Sequence, residues 1–362
     1  MNDRSDTGRV LKHWFDDGPT RMPDRVLDVV ADRISHVSQR RAWRLLGREG
    51  PMNAYTKLAL GAAAVVAIIV AGSIALPRLV AQVGGPKPLV EIVARFDAAT
   101  LGLDRPVDLA VAPNGHLYVT ESNDRVTELT PDGQIVRRWG RTGSGPGEFD
   151  FTGLQVENGA YASITVAPDG KVYVSDSDNH RVEVFSPDGS FIRQFGGDGS
   201  IPGQFGLAYD LVVDTAGNVY VLDDILQRLT KFGPSGEVLW TVSGVADPTI
   251  RGHLHSPHLD AAGRVVVGND DNGRVAYIDP SGRVVDSFDA DGCTVTIDAA
   301  DNLYVGPCDH QWIQVFDPAH HLIATWSPTT LEEAPEFAPN GVAFGLTSDG
   351  TILKLRWNLP AH

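Results

Sequence analysis

Between Pro168 and Phe205 the apolar and polar positions follow a short period. The segments KVYVSD, RVEVFS and SFIRQFG are brief, β-branched or aromatic, and partly alternating, which predicts strands. Pro168-Asp169-Gly170 and Pro187-Asp188-Gly189 separate them with turn chemistry: proline presets φ, aspartate caps its own backbone, and glycine accepts positive φ. One such unit cannot bury its own faces and needs copies beside it. The copies begin at Leu89. Aligned on one strand position, the units carry Tyr118, Tyr173, Tyr220, Val266, Tyr304 and Phe344, spaced 55, 47, 46, 38 and 40 residues apart. Six strand-rich units of that length predict an all-β six-bladed propeller.

The fourth strand of each unit should end on an aromatic residue, at Trp139, Phe195, Trp240, Phe288 and Trp326. The sixth unit reaches Trp357 with no room for a fourth strand. EIVARF, residues 91–96, matches QIVRRW, residues 134–139. The strand over 89–96 is therefore expected to complete the last blade, a closure that removes free sheet edges.

Upstream the pattern changes. Leu58 to Leu76 is a run of 19 residues with no charge and one hydroxyl, Ser73. At about 1.5 Å per residue it matches the hydrocarbon thickness of a bilayer. Arg40, Arg41, Arg44, Arg48 and Lys57 precede it, and only Arg78, Lys87 and Arg95 follow in a comparable span. The positive-inside rule then predicts a single-pass cell-membrane protein. Its parts are a cytoplasmic region of short helices over 1–57, a transmembrane helix over 58–76, a Pro/Gly linker over 77–88 and an extracytoplasmic propeller over 89–358. Leu27, Val30, Ile34 and Val37 put an apolar stripe on a helix over 24–38. Charge divides the same way. Residues 1–57 hold 11 Lys+Arg against 8 Asp+Glu, and residues 78–362 hold 19 against 38. So acidic a domain repels phosphate backbones, which excludes nucleic acid as its partner.

The turn Asn179-His180-Arg181-Val182, the Pro-Asp-Gly turns and the loops GRTGSGPGEF and GGDGSIPGQF resemble NHL repeats. The resemblance implies a six-bladed propeller used mostly as a binding platform. Several bacterial relatives are sensor ectodomains, and others are lyases or lactonase-like hydrolases with a metal in the central channel. HWFDDGPTRMPDRVLDVV and QRRAWRLL in residues 1–57 resemble anti-sigma-like cytoplasmic regions, which implies a cytoplasmic signalling partner. Zinc-type members use a histidine and two cysteines, whereas His13 and His36 have no cysteine near them.

Candidate chemistry is sparse. Gly143, Gly145 and Gly147 look like a phosphate loop, but that chemistry needs a helix N-terminus after the loop. Here strands flank it, so Phe149 and Phe205 are expected to plug blade-to-blade connections. Counting back from each turn gives one channel position per blade: Asp108, Ser163, Asp210, Ser256, Thr294 and Ala334. Polar walls suit a water-filled channel, and Asp oxygens with hydroxyls also suit a divalent cation such as Ca²⁺. In His253-Leu254-His255-Ser256-Pro257-His258, His253 and His255 share one face of an extended strand and His258 takes the other. His255 then sits one residue before the channel ring, and Asp108, Asp210 and His255 are the metal candidates. Propeller lyases of hydroxyglycine peptides hold zinc with three histidines from three blades. Here the other blades offer Val107, Ala162, Tyr209 and Cys293 at the matching place. His310, His320 and His321 fall in loops and are expected to be solvated. If Asp298 faces Leu303, Cys293 faces Cys308 on the adjacent strand. Outside the cytoplasm the pair is either a disulfide or two buried thiols. The reading favoured is binding or sensing of an extracytoplasmic protein or small ligand; the alternative is a metal-dependent lyase or lactonase-like hydrolase at the channel.

Overall fold

The computed structural model describes residues 88–151, 161–244, 247–290, 292–306, 312–327 and 331–359. The predicted cytoplasmic region, membrane span and most of the linker lie outside these residues. Among the described residues no helix is long and apolar enough to cross a membrane.

Six four-stranded antiparallel sheets form the propeller. Each runs from an inner strand through a second and a third to an outer one. The inner strands are Pro106–Val111, Ile164–Val166, Ala208–Val213, Leu254–Leu259, Thr294–Ile297 and Glu336–Phe337 in blades 1 to 6. Each touches its neighbours, and the sixth returns to the first. Blade 6 is completed from the other end of the domain. Val90–Phe96 pairs with Ile352–Trp357, from Val90 opposite Trp357 to Phe96 opposite Ile352, with a bulge between Ile92 and Ala94. The closure expected from EIVARF is what the chain adopts.

Burial follows layer position. The second strands of blades 1 to 4, and the third strands of blades 2 and 3, are buried at all five residues. Sheets packed on both faces lose the alternation that one-sided burial produces. Outer strands keep it: Phe191–Gly196 alternates strictly between half-buried and exposed. Phe149 and Phe205 are fully buried between blades, where Phe149 stacks on Phe151 at 4.9 Å and Phe205 packs on Phe232 at 5.6 Å.

The repeat signature fixes these connections. Asp176, at the end of the second strand of blade 2, accepts from Arg181 Nε at 2.7 Å, from Asn179 Nδ2 at 2.9 Å and from the Asp150 amide at 2.8 Å. Arg181 then donates to the carbonyls of Ser144, Gly145 and Glu148 at 2.7, 3.0 and 2.8 Å. The glycine-rich loop thus presents carbonyls to a guanidinium, the reverse of a phosphate cradle. Arg228 repeats the arrangement on the carbonyls of Ser200 and Gln204, at 2.9 and 2.6 Å.

One register and one loop residue differ from expectation. Ile297 pairs with Leu303 and Thr294 with Gly306, one residue away from the pairing that would set Cys293 opposite Cys308. Cys293 is disulfide-bonded all the same; Cys308, the one other cysteine of the sequence, lies outside the described residues. His320 is not solvated: its ring stacks on Phe288 at 4.3 Å and on Tyr277 at 5.2 Å. His321 is exposed and pairs with Asp317 at 3.1 Å. His310 is outside the described residues.

Candidate functional site at the central channel

Asp108, Ser163, Asp210 and Ser256, four of the predicted channel positions, line one cavity of about 160 Å³ together with His258, Glu333 and Glu336. A smaller hollow between blades 6 and 1 shares Asp108, Glu333 and Glu336 and adds Glu332 and Ala334. Thr294 is buried and is not among the residues lining either hollow.

Much of this ring stitches blades together. Asp108 accepts the Ile164 amide of blade 2 at 2.8 Å, Asp210 the Ser256 amide of blade 4 at 2.8 Å, and Thr294 Oγ1 the Ala334 amide of blade 6 at 2.9 Å. The side chain of each odd-numbered blade therefore satisfies a main-chain donor of the next blade. Ser163 adds a bond from blade 2 to blade 3, its Oγ donating to Asp210 Oδ1 at 2.7 Å. Asp108 also accepts the Leu109 amide at 2.6 Å, and Asp210 the Leu211 amide at 2.9 Å.

His258 reaches the channel because the blade 4 inner strand is bulged. His255 pairs with Gly268, but His258 pairs with Val266, so Ser256 and Pro257 oppose one residue. Ser256 has φ of 47°, in the left-handed region that L-residues enter at a cost. The extra residue reverses the alternation expected from an uninterrupted strand. His258 Nε2 lies 3.1 Å from Glu336 Oε1 and 3.2 Å from Thr296 Oγ1. His255 turns away from the cavity. Its Nδ1 lies 3.3 Å from the Tyr209 hydroxyl, and its Nε2 3.3 Å from Asp270 Oδ2. His253 sits at the surface, 2.7 Å from Asp224. The trio Asp108, Asp210 and His255 is therefore not assembled at one point, and no group of three or more His, Cys, Asp or Glu among the described residues has metal-holding geometry.

Electrostatics of the cavity are dominated by crowding. Burial, and then the neighbouring Asp210 charge, lift the Asp108 carboxyl to about 7 against the pull of its two amide donors. Glu333 is pushed well above the usual carboxylate range by desolvation and by Asp108, Asp210 and Glu336. Burial lowers the basicity of His258, but Glu336, a main-chain bond to Ser256 and Asp210 outweigh it and raise the imidazole to about 9.

Above this acidic belt, at the start of the inner strands, lies an aromatic arc. Tyr161 meets Tyr209 edge-on at 5.6 Å, and Tyr209 meets His255 edge-on at 5.5 Å, so three rings span blades 2, 3 and 4. Burial and the charges of Glu333, Asp210 and Asp224 raise the Tyr209 phenol, which places its hydroxyl within the field of the belt. At the far end, Val111, Val166 and Val212 border the cavity. The cavity thus passes from acidic to aliphatic.

Sequence reasoning missed Glu333 and Glu336. The blade 6 inner strand is two residues long, too short for periodicity to register it. The cluster Glu332-Glu333 ahead of an apolar strand was the available signal.

Comparison with known proteins agrees with this architecture. Residues 162–185, covering the first three strands of blade 2, match the family model of the NHL repeat. NHL repeat-containing protein 3 of Homo sapiens is 30% identical over 92 residues, or 24% of this chain and 24% of that protein; the Mus musculus protein of the same name matches to the same extent. The chain thus spans about a quarter of the length of the curated relatives it matches. Among solved structures, a streptogramin B lyase superposes with a TM-score of 0.53 at 12% identity, over 74% of this chain and 98% of that one. The Cps50 (Swd1) β-propeller domain of Myceliophteria thermophila gives 0.51 at 9% identity, over 74% of this chain and all of that one. At such identities the likeness is one of fold. The chain is a six-bladed β-propeller that carries an NHL repeat.

Proposed function

We propose that this protein is a membrane-anchored binding or sensing module, with the propeller held outside the cytoplasm and its channel face presented to a ligand or partner protein. The observation that carries the reading is the cavity bounded by Asp108, Asp210, His258, Glu333 and Glu336, in which Glu333 is exposed. The uncharged run Leu58–Leu76 and the basic residues before it support the anchor and its orientation. Residues 1–57 would relay occupancy to a cytoplasmic partner. The test is capture from the extracytoplasmic fraction with the full chain, wild type against Glu333→Gln. A ligand or protein retained by the wild type and lost from the variant supports the reading; identical capture by both overturns it. Deleting 1–57 without changing the cytoplasmic partners would remove the relay.

A second reading is a metal-dependent lyase or lactonase-like hydrolase. It is favoured by acid and base groups of unequal basicity in one cavity, namely Asp108, Glu333 and His258. The carboxylates of the cavity suit a hard cation such as Ca²⁺, which prefers oxygen ligands, but as placed among the described residues they do not form a three-ligand set. Zinc would need three protein ligands, for which His258 is the one channel histidine among the described residues. Metal analysis of the purified protein separates the two readings: a stoichiometric divalent ion lost on Asp210→Ala favours the enzyme.

A further inference from the structure

We infer that a hollow between blades 2 and 3 takes a small aliphatic monocarboxylate. It is a second site, independent of the binding reading, since this hollow and the channel cavity share no lining residue. Blade 1 supplies the template. There Tyr118 of the second strand faces Glu128 of the third, and Glu128 faces Arg137 of the outer strand. The Glu128 side chain is buried and its carboxylate is shared. Oε1 lies 2.6 Å from His116 Nδ1, and Oε2 lies 2.6 Å from Arg137 Nε. Blade 2 repeats these positions. Tyr173 faces Val184, and Val184 faces Arg193. Lys171 stands one residue before the second strand, as His116 does in blade 1. The tyrosine and both basic positions are therefore kept, while the carboxylate between them is replaced by a valine.

What the valine leaves is space. A cavity of about 180 Å³ is lined by Lys171, Tyr173, Val184 and Arg193. Blades 3 and 6 fill the Glu128 position with Lys231 and Lys354, whose ammonium groups lie 4.8 and 5.9 Å from the rings of Tyr220 and Phe344. A hollow between blades 1 and 2 is lined by neither Glu128 nor Arg137. In blade 2, Arg193 Nη2 donates to the Pro234 carbonyl at 2.6 Å, but Nη1 is buried with no hydrogen-bond partner. A buried donor without an acceptor costs free energy that an arriving carboxylate would recover. Lys171 pairs with Asp169 at the rim, where both side chains are exposed, and such a bridge is a weak competitor. Asp214, the other acid of the lining, has both oxygens engaged by Ala216, Asn218 and Tyr220. A guanidinium fork matches a carboxylate, and Ala167, Pro168, Ile192 and Pro234 give the rest of the wall an apolar face that suits a short hydrocarbon chain. The ligand would place in blade 2 the group that blade 1 carries in its own chain.

Calorimetric titration of the full-length protein in detergent tests this, with sodium butanoate as the probe and butylammonium chloride and sodium phosphate as parallel arms. Saturable butanoate binding that weakens with added salt, with butylammonium inert, is the expected result. Arg193→Gln should weaken it about tenfold or more, and Lys171→Gln, at the exposed rim, about threefold. Val184→Glu returns a carboxylate to the position that Glu128 holds in blade 1. It should abolish butanoate binding while the thermal transition stays as high as in the wild type. If Val184→Glu does not fold, Arg193→Gln decides alone. Absence of butanoate binding overturns the inference, as does equal binding by wild type and Arg193→Gln, or butanoate binding that survives in a folded Val184→Glu. Butylammonium binding as tight as that of butanoate overturns it too, because the chain and not the carboxylate would then be recognised. Phosphate binding without butanoate binding also overturns it, since the site would then select charge and not a carboxylate.

Discussion

Ser163 Oγ donates to Asp210 Oδ1 at 2.7 Å, joining blade 2 to blade 3 at the channel wall. The same carboxylate accepts the Ser256 amide from blade 4 on its other oxygen, so one side chain on blade 3 fastens both neighbours. A polar channel lining is therefore partly a set of rivets, and channel residues divide into those engaged between blades and those free to meet a ligand.

Ser163→Ala tests the first class. It removes a hydrogen bond to a charged group, and the expected cost is about 1.5–3 kcal/mol, measured by chemical denaturation. Glu333→Gln, in the second class, should leave the denaturation midpoint unchanged within about 0.5 kcal/mol.

Arg181→Met should destabilise the domain by about 3–5 kcal/mol, because it strands a buried carboxylate along with the loop carbonyls that the guanidinium holds. Asp176 has its own affinity for protons increased by burial, so in this variant it should take up a proton at higher pH than in the wild type, as NMR titration of the aspartate side chains would reveal.

Gly268→Ala is expected to be more severe. A Cβ there would stand 1.6 Å from the Cys293 carbonyl oxygen, which is backbone and cannot swing aside. Overpacking of this kind should cost more than about 4 kcal/mol. Thermal unfolding should show the loss, and Gly263→Ala, where a Cβ meets no atom within 4 Å, should lose far less, its cost being the strain of a positive φ.

Stability should fall as pH rises through the neutral range, for two reasons of the same sign. His258 is raised to about 9 from an ordinary 6.5, so its contribution is complete below the unfolded value and lost as pH climbs through the folded one. Asp108 is raised to about 7 from 3.8, so the folded state binds more protons than the unfolded state between those values and loses stability across that window. Melting temperatures from pH 4 to 10 should decline, and His258→Gln should flatten the alkaline part alone.

The propeller was legible because its signal repeats. Tyr118, Tyr173, Tyr220 and Tyr304 occupy equivalent positions, and EIVARF announces the closing strand by its likeness to QIVRRW. The Asp176–Asn179–Arg181 set was legible as a turn, though the guanidinium's grip on the loop carbonyls was not, since those partners are 33 to 37 residues away. Arg228 could have been found, as it opens a third strand just as Arg125 and Arg181 do. The site was half legible. Asp108, Ser163, Asp210 and Ser256 follow from counting along strands, but His258 and His255 exchange roles because of a single inserted residue. A bulge leaves periodicity on either side intact and shifts only its phase.

Closure of blade 6 by Val90–Phe96 also sets the order in which the domain can be made. That strand leaves the ribosome before any other part of the propeller, yet its partner, Ile352–Trp357, is nearly the last. At roughly 5–20 residues per second, an apolar strand with no mate must wait on the order of tens of seconds before the ring can shut. Throughout that interval five blades can stack while the sixth stays open, so a nascent chain interrupted before Ile352 would be a sticky crescent and not a shorter propeller.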